Sequence, residues 1–523
     1  MRSVLCFGLF FFLLTCEVKA ARILGVFPIP SRSHQVVFQS YCKELAKNGH
    51  ELVVITPNPT QNAEASNITE IDVSFSYNDL LKLLKSTAST LKRGVMMNVD
   101  VIVELDVYTQ MLDVVVQQLK SEQVRKLLED KTQKFDLLVV EGFFEYQLIV
   151  SEIFKAPVIL FPSFMGFPEH YEMMGAIGRH PILFPNFHRM NYANLSFWGT
   201  LKELYYEYKL YDMFRNVALT QDRLLKENFG SQAPTTEELK RNVDMLFLNS
   251  LASFANNRPV PPNVVYLGST HLQPVKEIPQ ELKAYLDGSS RGVIYVSFGS
   301  NIRPSMMEKS LLDSLLEAFE SLPFDILWRF DGESLENVPK NVKWQQWFPQ
   351  RDLLFHPNIK AFVTQCGLQS TEEAIDAEVP LVGVPMMAEQ WYNAQKYVDL
   401  GIGVKLESLT LTANDLVQGV KTVVGSKSYK ENIKRLKSVS NDQPQTSLER
   451  AVWWTEYVIR HRGAKHLRSP TADISWSEYY MLNIAVPVLG AAILFLVIIL
   501  LVLRSMCNAI SKMFCSQNKV KRN

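Results

Sequence analysis

The chain is poor in what would brace a secreted fold covalently. Of its six cysteines, Cys6 and Cys16 fall in an N-terminal apolar run and Cys507 and Cys515 in a basic tail, leaving Cys42 and Cys366 for the body. That excludes a disulfide framework. No cysteine and histidine cluster stands at ligand spacing, so no metal site is expected. A bias of charge is missing too: Lys plus Arg and Asp plus Glu number 54 each, and no net field gathers nucleic acid. Internal repeats and low-complexity tracts are absent, and so is the G-x-G-x-x-G that a nicotinamide-dependent dehydrogenase would carry after a strand.

What is present suits a large membrane-tethered globular protein. At 523 residues and 47% hydrophobic composition, the chain is long enough for two or three domains with cores of their own. Residues 1–20 read as a signal peptide: Arg2, an apolar run from Val4 to Leu14, then a small-residue end at Val18-Lys19-Ala20. Residues 484–503 carry no charge and suffice at a 1.5 Å rise to cross a bilayer. The tail 504–523 carries Arg504, Lys512, Lys519, Lys521 and Arg522 against only Lys465 and Arg468 just before the span, which puts the tail in the cytosol and the body in the lumen. Lys519 and Lys521 near the carboxyl end resemble a dilysine retrieval signal of the endoplasmic reticulum. The sequons at Asn67 and Asn194 make these residues candidate glycosylation sites in such a compartment.

Hydrophobic periodicity gives alternating elements. Ile23 to Pro28 reads as a buried strand, Gln35 to Lys47 as an amphipathic helix, and Glu51 to Thr56 as the next strand. Strands follow at Phe135 to Val140 and Pro157 to Phe161, with helices at Leu80 to Leu91 and Tyr108 to Asp130. Pro162 to Phe229, rich in aromatics, has no clean period and is expected to form loops and short helices lining a cavity. A second series starts at Gly292 to Ser297 and continues with strands at Ile326 to Phe330, Ala361 to Thr364 and Leu381 to Val384. The expected organisation is an α/β chain of two Rossmann-like domains facing a cleft, residues 21–260 and 283–446, joined by a proline-rich linker at 261–282. A C-terminal helix and juxtamembrane segment occupy 447–483, with the helix at Ser447 to His461 packing across the domains.

The segment from Trp347 to Gln395, WFPQRDLLFHPNIKAFVTQCGLQSTEEAIDAEVPLVGVPMMAEQWYNAQ, resembles the donor-binding signature of the UDP-glycosyltransferase family, which includes the UDP-glucuronosyltransferases. The resemblance extends over essentially the whole chain, and Gln365 and the AEQWYN run look most like the insect and baculoviral branch. It implies a GT-B fold with acceptor bound mainly by the N-terminal half and UDP-sugar by the C-terminal half. It implies that Trp347 stacks on uracil with Gln350 beside it, that Glu373 takes the ribose hydroxyls, and that Glu389 and Gln390 hold the sugar. The residue chemistry agrees: a loop opening a helix offers free N–H groups and a positive dipole end to a diphosphate. Gln365, Gly367 and Gln369 stand there, and Gly299 and Ser300 close from the other side. Glu372 reads as a solvated helix-face residue.

On the acceptor side, His34 follows the first strand at the start of a helix and resembles the family's catalytic base. A carboxylate must fix its tautomer and stabilise its cation; Glu141 at the end of FDLLVVE is the candidate, Glu145 the alternative. The expected reaction is an inverting transfer of a hexosyl group from a UDP-sugar, UDP-glucose favoured and UDP-glucuronate possible, to a hydroxyl of a small lipophilic acceptor, as in detoxification. UDP-sugar is a co-substrate, and no metal or other cofactor is expected. Further copies or relatives are possible partners. The alternative is a membrane-tethered binding protein for apolar ligands. It draws on Cys366, where vertebrate relatives have glycine: a side chain there is costly if the backbone needs φ above zero, and a thiol in the pocket would block the donor.

Overall fold

The computed structural model describes residues 20–60, 67–87 and 89–520. The signal segment up to Lys19, and Lys521 and Arg522 of the tail, lie outside them. The described chain divides into a body ending at Arg468 and a short C-terminal unit from Ser469.

The body holds two parallel sheets. The first has seven strands, β1 (Arg22–Val26), β2 (Glu51–Thr56), β3 (Ile68–Asp72), β4 (Leu137–Val140), β5 (Val158–Leu160), β6 (Val243–Leu248) and β7 (Val264–Tyr266), in the order β3-β2-β1-β4-β5-β6-β7. The second has six, β8 (Val293–Ser297), β9 (Asp325–Arg329), β10 (Val342–Gln345), β11 (Ile359–Thr364), β12 (Leu381–Gly383) and β13 (Gly403–Lys405), in the order β10-β9-β8-β11-β12-β13. Runs such as LLVV and VDMLFL are buried along their whole length, as strands covered by helices on both faces require. In each sheet the strand order reverses beside the opening strand, between β1 and β4 and between β8 and β11. A crevice opens at the carboxyl ends of strands at such a reversal. Both open within this one body.

The helices that carry the site start at those crevices. The helix α1 (Arg32–Lys47) follows β1, α3 (Leu368–Asp376) follows β11, and α4 (Gln390–Asp399) follows β12; α2 (Phe197–Phe229) lies in the first half. The late helix α5 (Ser447–His461) returns from the second half to pack on α1, where Ala451, Val452 and Val458 join the core of the first sheet and Tyr41 bonds Thr455 at 2.6 Å. A second crossing runs the other way. Val95 and Met96, from the first half, are buried in the core of the second sheet, and the Met97 N–H donates to Met386 O at 2.8 Å.

Three expectations need correction. Pro162 to Phe229 is not all loop and short helix, since α2 alone has 33 residues. Its period is hidden because its buried face is partly polar: Glu203 and Glu207 are ion-paired to the buried Arg189, and Gln221 bonds the Tyr146 N–H. Tyr108 to Asp130 forms two helices, Val107–Lys120 and Glu122–Glu129, because extended Ser121 separates them. The linker segment 261–282 begins with β7, which pairs with β6 through three apolar residues too few to stand out among prolines. In the C-terminal unit, α6 (Leu482–Val520) includes Leu482–Met513, long and apolar enough to cross a membrane.

Candidate active site

The loop after β1 and the end of β4 place an acid and a ring together. Glu141 directly follows β4, is fully buried, and stands 2.6 Å from His34 Nδ1 in the first turn of α1. Its other oxygen accepts the Ile29 N–H at 3.2 Å. Burial pushes the carboxyl above its ordinary value, while the bond to His34, the charge of that ring and the Ile29 N–H hold it down. A carboxylate at Nδ1 fixes the proton on that nitrogen and leaves Nε2 as an acceptor. Ser163 Oγ lies 2.8 Å from the same Nδ1. Glu145 is committed elsewhere, to Gln221 at 2.9 Å and Lys240 at 3.8 Å.

His34 faces a cavity of about 500 Å³ whose acceptor-side wall includes Tyr108, Met111, Phe143, Phe164, Phe167 and Phe187. Phe143 and Phe164 stand 5.8 and 6.5 Å from the His34 ring. In the same wall His188 is driven down to about 3 by burial, so the neutral ring donates from Nδ1 to Asn186 and accepts the Tyr108 hydroxyl at 2.6 Å.

The opposite wall is the turn from β11 into α3. Gly367 caps α3 with extended backbone and no acid stands in its first turn; the Leu368 N–H helps hold the Glu389 carboxylate charged, and the positive end of the dipole favours an anion there. Gln365 accepts the Thr364 hydroxyl at 3.1 Å and lays its amide against Gly299. Gly299 has φ +69, a backbone conformation that favours glycine. Gln369 Nε2 donates across the cleft to Ser163 O at 3.0 Å. Gln350 Nε2 donates to Glu373 at 2.6 Å and Ser370 at 2.9 Å, and burial pushes Glu373 up to about 7. Gln390 Oε1 accepts the Met386 and Met387 N–H groups, each at 2.9 Å, holding the loop that carries Glu389. Glu389 is raised by burial, offset in part by its own backbone N–H and by His34. Trp347 is 51% exposed, with the guanidiniums of Arg32 and Arg329 4.3 and 5.2 Å from its ring.

The structure therefore brings His34, Gly299, Ser300, Trp347, Gln350, Gln365, Gly367, Gln369, Glu373, Glu389 and Gln390 to one cavity, with Glu141 behind His34. Glu372 overturns its expectation. It is 1% exposed and accepts the Ser269 N–H at 2.9 Å, because its face of α3 meets the segment crossing between the halves. Burial pushes it up to about 8. Cys366 does sit at φ +71, a strain of roughly 1 kcal/mol, but its side chain packs against Gly383 and Tyr397 and does not line the cavity. The pocket is open. Both sequon asparagines are exposed.

Sequence reasoning missed Ser163, His271 and the arginines Arg32, Arg329 and Arg351 on this cavity. Ser163 lies in the stretch without a period and gave no signal. Arg32 had one: a cation in the first turn of a helix opposes the dipole.

The chain matches the family described as UDP-glucoronosyl and UDP-glucosyl transferase over residues 23–520. An ecdysteroid UDP-glucosyltransferase of Lymantria dispar multicapsid nuclear polyhedrosis virus is 42% identical over 492 residues, 92% of this chain and 96% of that one. UDP-glucosyltransferase 2 of Dactylopius coccus is 31% identical over 496 residues, 91% of each. Among solved structures, a UDP-glucose:anthocyanidin 3-O-glucosyltransferase in complex with UDP aligns at a TM-score of 0.56 and 18% identity, covering 85% of this chain and all of that one. Its fold is the two-sheet GT-B architecture seen here.

Proposed function

The chain belongs to the UDP-glucoronosyl and UDP-glucosyl transferase family, and on that premise we propose that it moves a glucosyl group from UDP-glucose to a hydroxyl of a lipophilic acceptor. The observation that carries this reading is the His34–Glu141 pair at 2.6 Å, facing across one cavity to the Gln365–Gln369 turn. In this reading His34 Nε2 takes the acceptor proton, the acceptor oxygen attacks the anomeric carbon, and UDP leaves from the opposite face with inversion. Glu141 stabilises the imidazolium that forms. The α3 N-terminus, Gln365, Gly367, Gln369, Gly299 and Ser300 would hold the diphosphate, Trp347 the uracil, and Gln350 would orient Glu373 toward the ribose. Glu389 and the free amide of Gln390 would receive the sugar. Fixed dipoles aimed at developing charge need no reorganisation during the step. The reading has no metal ion in it, and a chelator is expected to leave transfer unchanged.

The relatives' names support glucose as donor. The apolar wall and the cavity volume suit an acceptor the size of a steroid, flavonoid or large phenol. Two of the relatives above act, by name, as glucosyltransferases, one of them on ecdysteroids. A role in detoxification or hormone inactivation follows from such an acceptor. The apolar helix and its basic flank support a single-pass protein of the endoplasmic reticulum with a lumenal body, in which Asn67 and Asn194 carry glycans. Microsomes containing the chain, given labelled UDP-glucose, UDP-glucuronate and UDP-galactose with a mixture of phenols and sterols, should form glucosides. Transfer of none of the three would overturn the reading.

A further inference from the structure

Three arginines reach the cavity: Arg32, Arg329 and Arg351. Arg351 is paired with Asp376 at 2.8 Å. Among the described residues Arg32 and Arg329 have no carboxylate within 4.0 Å; both lie on the ring of Trp347 instead. Two like charges thus converge on one aromatic side chain. Burial, and then Arg32 itself, bear on Arg329 in the direction that disfavours its charge, against the pull of Tyr295 and Asp331.

Arg32 is the odder of the two. It is the first residue of α1, with no acid in that first turn, so its charge adds to the positive end of the dipole where a carboxylate would be stabilising. Its neighbour Ser31 exchanges a hydrogen bond of 3.3 to 3.4 Å with Asn301, next to the Gly299–Ser300 turn. The head of α1 is therefore held against the part of the second half where the diphosphate is read to sit. The exposed Arg32, set against its own helix, and the half-buried Arg329 have a physical use if a polyanion completes the site.

We propose that Arg32 is a diphosphate ligand supplied across the cleft by the acceptor half: it occupies the Trp347 ring when the site is empty, yields that ring to the base, and pairs with the leaving UDP. The proposal rests on the transferase reading above. In the step, the acceptor O–H bond breaks and its proton goes to His34 Nε2, while the acceptor oxygen bonds to the anomeric carbon. The bond from that carbon to the β-phosphate oxygen breaks, and its electron pair stays on the diphosphate. Arg32 keeps its proton throughout and acts only on the charge that develops.

The test is the binding of UDP, UMP and uridine to the full-length protein, followed by calorimetry, for wild type, Arg32→Gln and Arg32→Lys. Loss of a charge-assisted contact is expected to weaken UDP about 10- to 100-fold in Arg32→Gln, UMP less, and uridine not at all, with kcat falling as well. Arg32→Lys should recover part of the loss, and its UDP affinity should fall more steeply with salt than that of Arg32→Gln. Equal losses for UDP and uridine would make Arg32 a packing residue of Trp347, and unchanged UDP binding would also overturn the proposal. A wild type that binds none of the three would overturn the transferase reading itself.

Discussion

The turn from β1 into α1 and the turn from β11 into α3 occupy the same place in their sheets, at the carboxyl end of a strand beside the order reversal. They are built from opposite materials. The first has one acid–base pair, with Glu141 fully buried and His34 at the cavity wall beside Phe143. The second has amides, a glycine cap and the positive end of a helix, and the carboxylates beside it, Glu373 and Glu389, are pushed by burial toward their neutral forms. The difference follows the work read for each. A proton transfer needs a group that changes charge in a dry place, whereas a leaving diphosphate needs donors that hold still.

Breaking the first turn should have the largest effect. His34→Ala should lower kcat by roughly 10² to 10⁴ and leave UDP affinity within about twofold, by steady-state assay and calorimetry. Glu141→Gln keeps shape and removes the charge that stabilises the imidazolium; with a charge-assisted bond worth about 1.5 to 3 kcal/mol, kcat should fall about 10- to 100-fold. Breaking the second turn should act on the donor instead: Gln365→Ala should raise the KM for UDP-glucose roughly fivefold, for about 1 kcal/mol, and leave the KM for the acceptor alone.

Two smaller changes sharpen the contrast through stability. Glu372 titrates near 8 when folded and at its ordinary value near 4.5 when unfolded, so the folded state holds the proton more tightly and stability falls as pH rises from about 4.5 through 8. Glu372→Gln should flatten the decline of Tm across that window. Cys366→Gly relieves the positive φ and gives up the packing on Gly383 and Tyr397, so stability should change by no more than about 1 kcal/mol, with UDP affinity unchanged.

The donor turn was the more legible of the two in sequence, because its residues are close in the chain and their free backbone groups follow from a strand meeting a helix at Gly367. The acceptor side is assembled from distant stretches. The pairing of His34 with Glu141 could be named from the ends of two strands, but Ser163 has no local pattern, and α2 hid behind buried glutamates held by Arg189. Glu372 was misread for a related reason: the segment that buries it lies 103 positions away, at Ser269. Local periodicity reports what a helix could bury, and only the tertiary partner decides which polar residue goes inside.

The division of labour between the two turns is tested most directly by a crystal structure of the full-length protein with UDP bound. The diphosphate is expected against the N–H groups of Gly367 to Gln369, the ribose at Glu373 and the base on Trp347, with the His34 ring facing open space across the cavity. Nucleotide found instead among Phe143, Phe164 and Phe167 would contradict the account.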